Sequence, residues 1–221
     1  MYKRQTLSLL KFNLNTGNTN YLYSFNSKTG SGGLSSYGST GLFNLYNTLY
    51  APQISNKNTI YRTNTSYRLS GNMGKDIVSN AKQYIGFNEA DNSYKLFTQG
   101  RNEAWCADFV THVVKEAYKK NGKSIPSGFG SSSVEGLRQW GKNNNCYLDT
   151  TNTSNKSSVI ANSVKPGDVV IFKNGISHTG VVAEVNSDGT FKTIEGNTSD
   201  KVAYRNYSAN DSKISGFVQL A

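Results

Sequence analysis

The change of hydrophobic period near Lys165 constrains this chain more than any other feature. Beyond it, short alternating runs are broken by tight turns. Lys165-Pro166-Gly167-Asp168 launches Val169 to Phe172, and Lys173-Asn174-Gly175 turns the chain into His178 to Val185. Asn186-Ser187-Asp188-Gly189 then turns it into Thr190 to Glu195, with further strands expected at Val202 to Tyr207 and Gly216 to Leu220. Before Lys165 the period is helical. Ile77, Val78, Ala81, Tyr84 and Ile85 recur at helical spacing up to Gly86. Trp105, Phe109, Val110, Val113, Val114 and Ala117 form a second stripe that stops at Asn121-Gly122. Ser131-Ser132-Ser133 offers an N-cap for a third helix carrying Val134, Leu137 and Trp140 and ending at Gly141. Asn88 to Asn102, and the stretch leading up to Ser163, read as polar loops. Helices first and an antiparallel meander second predict an α+β fold, with N-terminal helices packed on one face of a C-terminal antiparallel β-sheet.

Charge divides the chain at nearly the place where the helical pattern begins. Eight of the 24 Lys and Arg residues, and none of the 14 Asp and Glu, fall before Asp76, so most of the net charge of +10 lies in the first third. That third is rich in Asn, Ser, Thr, Tyr and Gly, with glycine clusters such as Thr29-Gly30-Ser31-Gly32-Gly33. Hydrophobic residues make up 36% of the chain and its mean hydropathy is −0.55, values low enough to imply that part of it lies outside a packed core. Residues 1–72 are therefore expected to be a basic, low-complexity arm or linker, and residues 73–221 a folded domain. Short alternating pieces such as Thr19 to Phe25, and an amphipathic turn or two over Leu42 to Tyr50, would give the arm local order. Its charge suits a polyanion, whether wall polymer, membrane surface or nucleic acid, with a solvated linker as the competing reading. Its cations are scattered and no recognition motif accompanies them, so nucleic acid is not the expected partner.

No apolar run is long enough to span a bilayer, and Leu7-Ser8-Leu9-Leu10 is too short for the hydrophobic region of a signal peptide. Met1-Tyr2-Lys3-Arg4-Gln5 matches the translation of a transposon adapter end used in sequencing libraries, so the native N-terminus, with any leader, is expected to lie elsewhere. Two cysteines do not make a disulfide framework, and the setting of Cys106 argues for a free thiol over a bridge to Cys146.

Cys106 opens the second helix, where unpaired amides and the positive end of the helix dipole favour a thiolate. A buried structural cysteine is the competing role. A thiol nucleophile needs a base, and the chain has only two histidines. His112 lies six residues on, roughly 240° round the helix, and points away. His178 opens a strand and is left as the base. Glu195 ends the strand that hairpins back on it, which brings the two together as base and orienting acid. Asn197, two residues on, is a second candidate for contact with the imidazole.

Taken in order, Trp105-Cys106-Ala107-Asp108-Phe109-Val110, Pro166-Gly167-Asp168-Val169-Val170, Ser177-His178-Thr179-Gly180-Val181-Val182 and Ile194-Glu195-Gly196-Asn197 resemble the CHAP domain, the cysteine, histidine-dependent amidohydrolase/peptidase family. The resemblance spans about Asn72 to Ala221. It implies a papain-like fold and cleavage of amide bonds in bacterial peptidoglycan. Cys106 would be the nucleophile, His178 the base, Glu195 the orienting acid and Asn197 a supporting polar residue. Trp105 and Trp140 are candidates for lining the cleft, with core packing as their competing role. Some members bind calcium through acids upstream of the cysteine. Here only Glu89, Asp91 and Asp108 could contribute, the pattern is poor, and no metal or other cofactor is expected.

The expected function is a peptidoglycan hydrolase, either an N-acetylmuramoyl-L-alanine amidase or a stem-peptide or cross-bridge endopeptidase, acting as a monomer outside the cell or in the wall. Anionic wall polymers are the expected partners of the basic arm. An NlpC-type peptidase shares the Cys and His logic, but Glu195-Gly196-Asn197 argues against it. A non-catalytic wall-binding or virion structural module is the alternative from another class. Phage lysin, autolysin and secreted effector origins look alike in these residues.

Overall fold

The computed structural model describes residues 8–13, 19–24 and 68–220 of the chain, which divides into two compact units, Met1–Ile60 and Tyr61–Ala221. In the first unit, β1 (Ser8–Asn13) and β2 (Thr19–Ser24) pair antiparallel, from Ser8 opposite Ser24 to Asn13 opposite Thr19. The turn expected over Leu42 to Tyr50 lies outside the described residues.

The second unit begins with α1 (Met73–Lys82), a short α2 (Lys95–Thr98), α3 (Cys106–Lys120) and α4 (Val134–Asn143). Then come β3 (Tyr147–Asp149), α5 (Lys156–Ser163), β4 (Val169–Phe172), β5 (His178–Val185), β6 (Phe191–Glu195), β7 (Ala203–Tyr207) and β8 (Ile214–Val218). The fold is α+β: helices lead into an antiparallel sheet of order β3-β8-β4-β5-β6-β7. Local chemistry accounts for the helix starts. The Asn72 side chain accepts from the Lys75 amide at 2.9 Å, and the Ser133 hydroxyl from the Gly136 amide at 3.1 Å. Lys119 and Lys120 in the last turn of α3 complement its dipole, and Gly122, at φ +63, turns the chain away.

Packing puts α3 at the centre. Phe109, Val110, Val113, Val114 and Ala117 are all fully buried, in one cluster with Ile77 and Ala81 of α1, Leu137 of α4, and Val169, Ile171, Val181 and Ile194 of the sheet. Each buried Val or Phe contributes at most about 1.5–3 kcal/mol relative to exposure, so this stripe is what fixes α3 to the sheet. The other side chains of the same strands, Val170, Phe172, Val182 and Phe191, join a second cluster with Phe217 and with Ile160 and Val164 at the α5 end. β4 is thus covered on both sides, which explains its unbroken Val-Val-Ile-Phe run.

Four details depart from the sequence reading. The helices do not all share one face, because α5 covers the far side. The meander breaks after β7, and β8 crosses back to pair with β4. Two segments expected as loops contain β3 and α5 in one case and α2 in the other; α5 buries little besides Ile160, too little to print a helical period. Gly141 does not end α4. It lies inside the helix, where an added Cβ would stand 2.9 Å from a Val218 methyl, so it marks close packing and not a stop.

Candidate active site

Antiparallel pairing sets the start of β5 and the end of β6 at the same end of the sheet, and α3 begins there. Trp105, the residue before α3, supplies no side-chain cap. The first amides of α3, beside Cys106, therefore have no acceptor in their own helix or on its cap residue. Cys106 is 5% exposed, and both it and Cys146 are free thiols.

His178 connects the thiol to the acid. Its Nε2 lies 2.8 Å from Glu195 Oε2, and the Cys106 side chain acts on the same imidazole. With Nε2 taken by the carboxylate, Nδ1 is the nitrogen left for the sulfur. Burial by itself would lower the pKa of His178. The hydrogen bonds to Cys106 and Glu195 and the carboxylate charge outweigh it, and the imidazole is raised from 6.5 to about 9. The ring also stacks on Phe172, at 6.0 Å between centroids.

Glu195 is fully buried, and such a charge persists only where donors surround it. Thr193 Oγ1 donates to Oε1 at 2.6 Å, His178 donates to Oε2, and the Tyr207 phenol lies close enough to interact with the same carboxylate. Two glycines make room. A Cβ at Gly180 would stand 2.5 Å from Glu195 Cγ, so the acid can cross β5 only where no side chain intervenes. A Cβ at Gly196 would stand 2.5 Å from Phe109 Cβ and 2.9 Å from the Trp105 ring, so its absence lets the start of α3 rest on the end of β6.

The remaining expected residues fall elsewhere. Asn197, at φ +55, makes no hydrogen bond to His178. Trp105 requires a correction: it is fully buried, stacked on Phe97 at 5.7 Å, with its Nε1 donating to Glu89 Oε1 at 2.9 Å, so it packs the core and lines no cleft. Trp140 is half-buried, edge-on to Phe129, and donates to the Ser127 carbonyl. His112 points away from the thiol, with Nε2 3.0 Å from the Tyr84 hydroxyl, and burial lowers its pKa. Of the three acids weighed for a metal, Glu89 holds Trp105, Asp91 holds the Ser93 amide, and Asp108 pairs with Arg101 at 2.8 Å. Among the described residues no three His, Cys, Asp or Glu side chains are grouped to hold a metal ion.

Residues 98–197 match the CHAP domain model. The CHAP match runs from the last residue of α2 to two residues beyond β6 and contains Cys106, His178, Glu195 and Asn197. It supports a peptidoglycan hydrolase in general terms. No curated protein matches the chain. Among solved structures, the 2.15 Å crystal structure of an N-acetylmuramoyl-L-alanine amidase from Staphylococcus aureus is similar at 18% identity and a TM-score of 0.32. That likeness covers 52% of this chain and 30% of the amidase, and is too slight to assign a bond or a residue. Sequence reading missed Thr193 and Tyr207. Thr193 was within reach, since period two puts it on the Glu195 face of β6; Tyr207 emerges only once β7 is paired with β6.

Proposed function

We propose that residues 73–221 form a peptidoglycan hydrolase that cleaves an amide bond by a Cys106-His178-Glu195 thiol mechanism. The observation that carries the reading is the 2.8 Å bond from the His178 imidazole to the buried Glu195 carboxylate, beside Cys106 at the start of α3. With the proton they share held on Nδ1 of His178, the Cys106 sulfur attacks the carbonyl carbon as a thiolate. The backbone amide of Cys106, with no acceptor in its own helix, is positioned to steady the oxyanion. As the tetrahedral intermediate collapses, the imidazolium gives its proton to the departing amine nitrogen and the acyl group stays on sulfur as a thioester. The neutral imidazole then takes a proton from water, hydroxide adds to the thioester, and the carboxylic acid leaves as the thiol is restored. Glu195 holds Nε2–H throughout, so Nδ1 is always the working nitrogen.

In this proposal the bond is the lactyl amide of N-acetylmuramoyl-L-alanine or a peptide bond of the stem or cross-bridge, Asn197 supports the site, and Trp140 is the aromatic left for substrate contact. The basic arm, residues 1–72, adds attraction to anionic wall polymers, and the protein works at the cell wall. The test is to incubate the full chain, wild type beside Cys106→Ala, with purified peptidoglycan and identify released fragments by mass spectrometry. New ends that depend on Cys106 support the reading and name the bond. Wall binding without release by either protein would replace it with a non-catalytic wall-binding module.

A further inference from the structure

The Cys106-His178-Glu195 line rests on aromatic residues that the mechanism above does not use. Phe172 stacks on His178 and packs against Tyr207 at 4.7 Å, and Tyr207 stacks in turn on Phe191 at 5.5 Å. One shelf thus carries both the imidazole and a phenol, and the phenol stands near enough to Glu195 for the two to interact. β7 supplies that phenol because Tyr207 stands opposite Phe191 in the β6-β7 ladder, on the face that Thr193 and Glu195 share.

We infer that Tyr207 is a positioning residue which, together with Thr193, fixes the Glu195 carboxylate and takes up part of its charge, so that the His178 imidazolium can release its proton to the leaving amine. This inference rests on the reading of Glu195 as the acid that orients His178. A carboxylate that served His178 alone would direct its whole charge at the imidazolium and hold that proton too tightly for general-acid work. Two hydroxyl donors divide the charge. Burial, and then the neighbouring carboxylate, push the Tyr207 phenol above the ordinary tyrosine range, so it remains a donor wherever the site operates. Charged groups facing His178 are Cys106 from α3 and Glu195 from β6. Those acting on Tyr207 are Glu195, Arg205 of β7 and Asp211 from the turn before β8.

Tyr207→Phe keeps the ring and removes only the hydroxyl. The experiment measures kcat, apparent KM on suspended peptidoglycan and the alkaline midpoint of the rate for wild type, Tyr207→Phe, Glu195→Gln and the double variant. Tyr207→Phe is expected to lower kcat roughly ten-fold with apparent KM unchanged. It should raise the alkaline midpoint above the wild-type value of about 9 that His178 sets. In the Glu195→Gln background the same substitution should cost nothing further. An equal loss in both backgrounds, or an unchanged kcat and midpoint, would overturn the inference. The pH dependence of Cys106 alkylation in a Cys146→Ser background reads the same coupling without substrate. A Tyr207-dependent midpoint there, with no hydrolysis by wild type, would sink the proposed activity while leaving the Tyr207 linkage standing; no Tyr207 dependence would sink the linkage by itself.

Discussion

Gly180→Ala is the most searching single substitution at this site, because it adds one carbon where the structure has none to spare. The new Cβ would lie 2.5 Å from Glu195 Cγ and 3.1 Å from the Ile194 carbonyl oxygen. Carbon atoms settle at about 3.5–4.0 Å, so the Glu195 side chain must retreat by roughly 1 Å. The Ile194 carbonyl belongs to the strand ladder and has little freedom to yield. A retreat of that size stretches the 2.8 Å His178-Glu195 bond beyond the limit of about 3.2 Å at which such bonds hold. Losing a charge-assisted hydrogen bond costs about 1.5–3 kcal/mol, or roughly ten- to one-hundred-fold in rate. Overpacking adds about 1–3 kcal/mol of destabilisation, which lowers the melting temperature by roughly 2–10 °C in a protein of this size. Initial rates of fragment release, measured beside urea unfolding at the same temperature, separate the two effects. Full activity in Gly180→Ala would refute the geometric reasoning.

Cys106→Ala should abolish hydrolysis while leaving the unfolding midpoint within about 1 kcal/mol of wild type, since a small apolar residue fits the start of α3; retained fragment release would end the thiol mechanism. The pH-rate profile should fall as pH rises through about 9, where His178 loses the proton it gives to the leaving amine. The same raised value makes the His178 contribution to stability complete below the unfolded value of 6.5 and lost as pH climbs through about 9, readable in urea titrations. His112 carries the opposite sign. Its pKa is lowered by burial, so its neutral form favours folding above 6.5 and that contribution is lost on acidification. His112→Ala should therefore flatten the acid side of the stability curve while leaving specific activity within about two-fold, and a large activity loss would contradict its bond to Tyr84. Trp105→Phe should cost about 1–3 kcal/mol in urea unfolding, because the smaller ring leaves a void beside Phe97 at a fully buried position, and a neutral result would remove Trp105 from the core account.

The sequence by itself determined the elements whose period is strong and whose ends are chemically marked. α1, α3 and α4 carry apolar stripes, with Asn72 and Ser133 capping two of them, and β4 to β6 are separated by turn residues that admit few conformations. Because β5 and β6 form a hairpin, the approach of His178 to Glu195 was also local information: pairing across a short turn fixes which ends meet. Tertiary structure decided what depends on contacts between distant segments. The return of β8 to β4 follows from burying both faces of a wholly apolar strand, which no turn signal records. α5 is held by what it covers, not by a period of its own. Trp105 became a core residue because Phe97 and Glu89, from a stretch that reads as a polar loop, fold back over it. Tyr207 came near the Glu195 carboxylate only through the register of β7 against β6. Turn chemistry and helical period are written within a few residues of each other, whereas the donors that stabilise a buried charge are recruited from wherever the chain happens to pass.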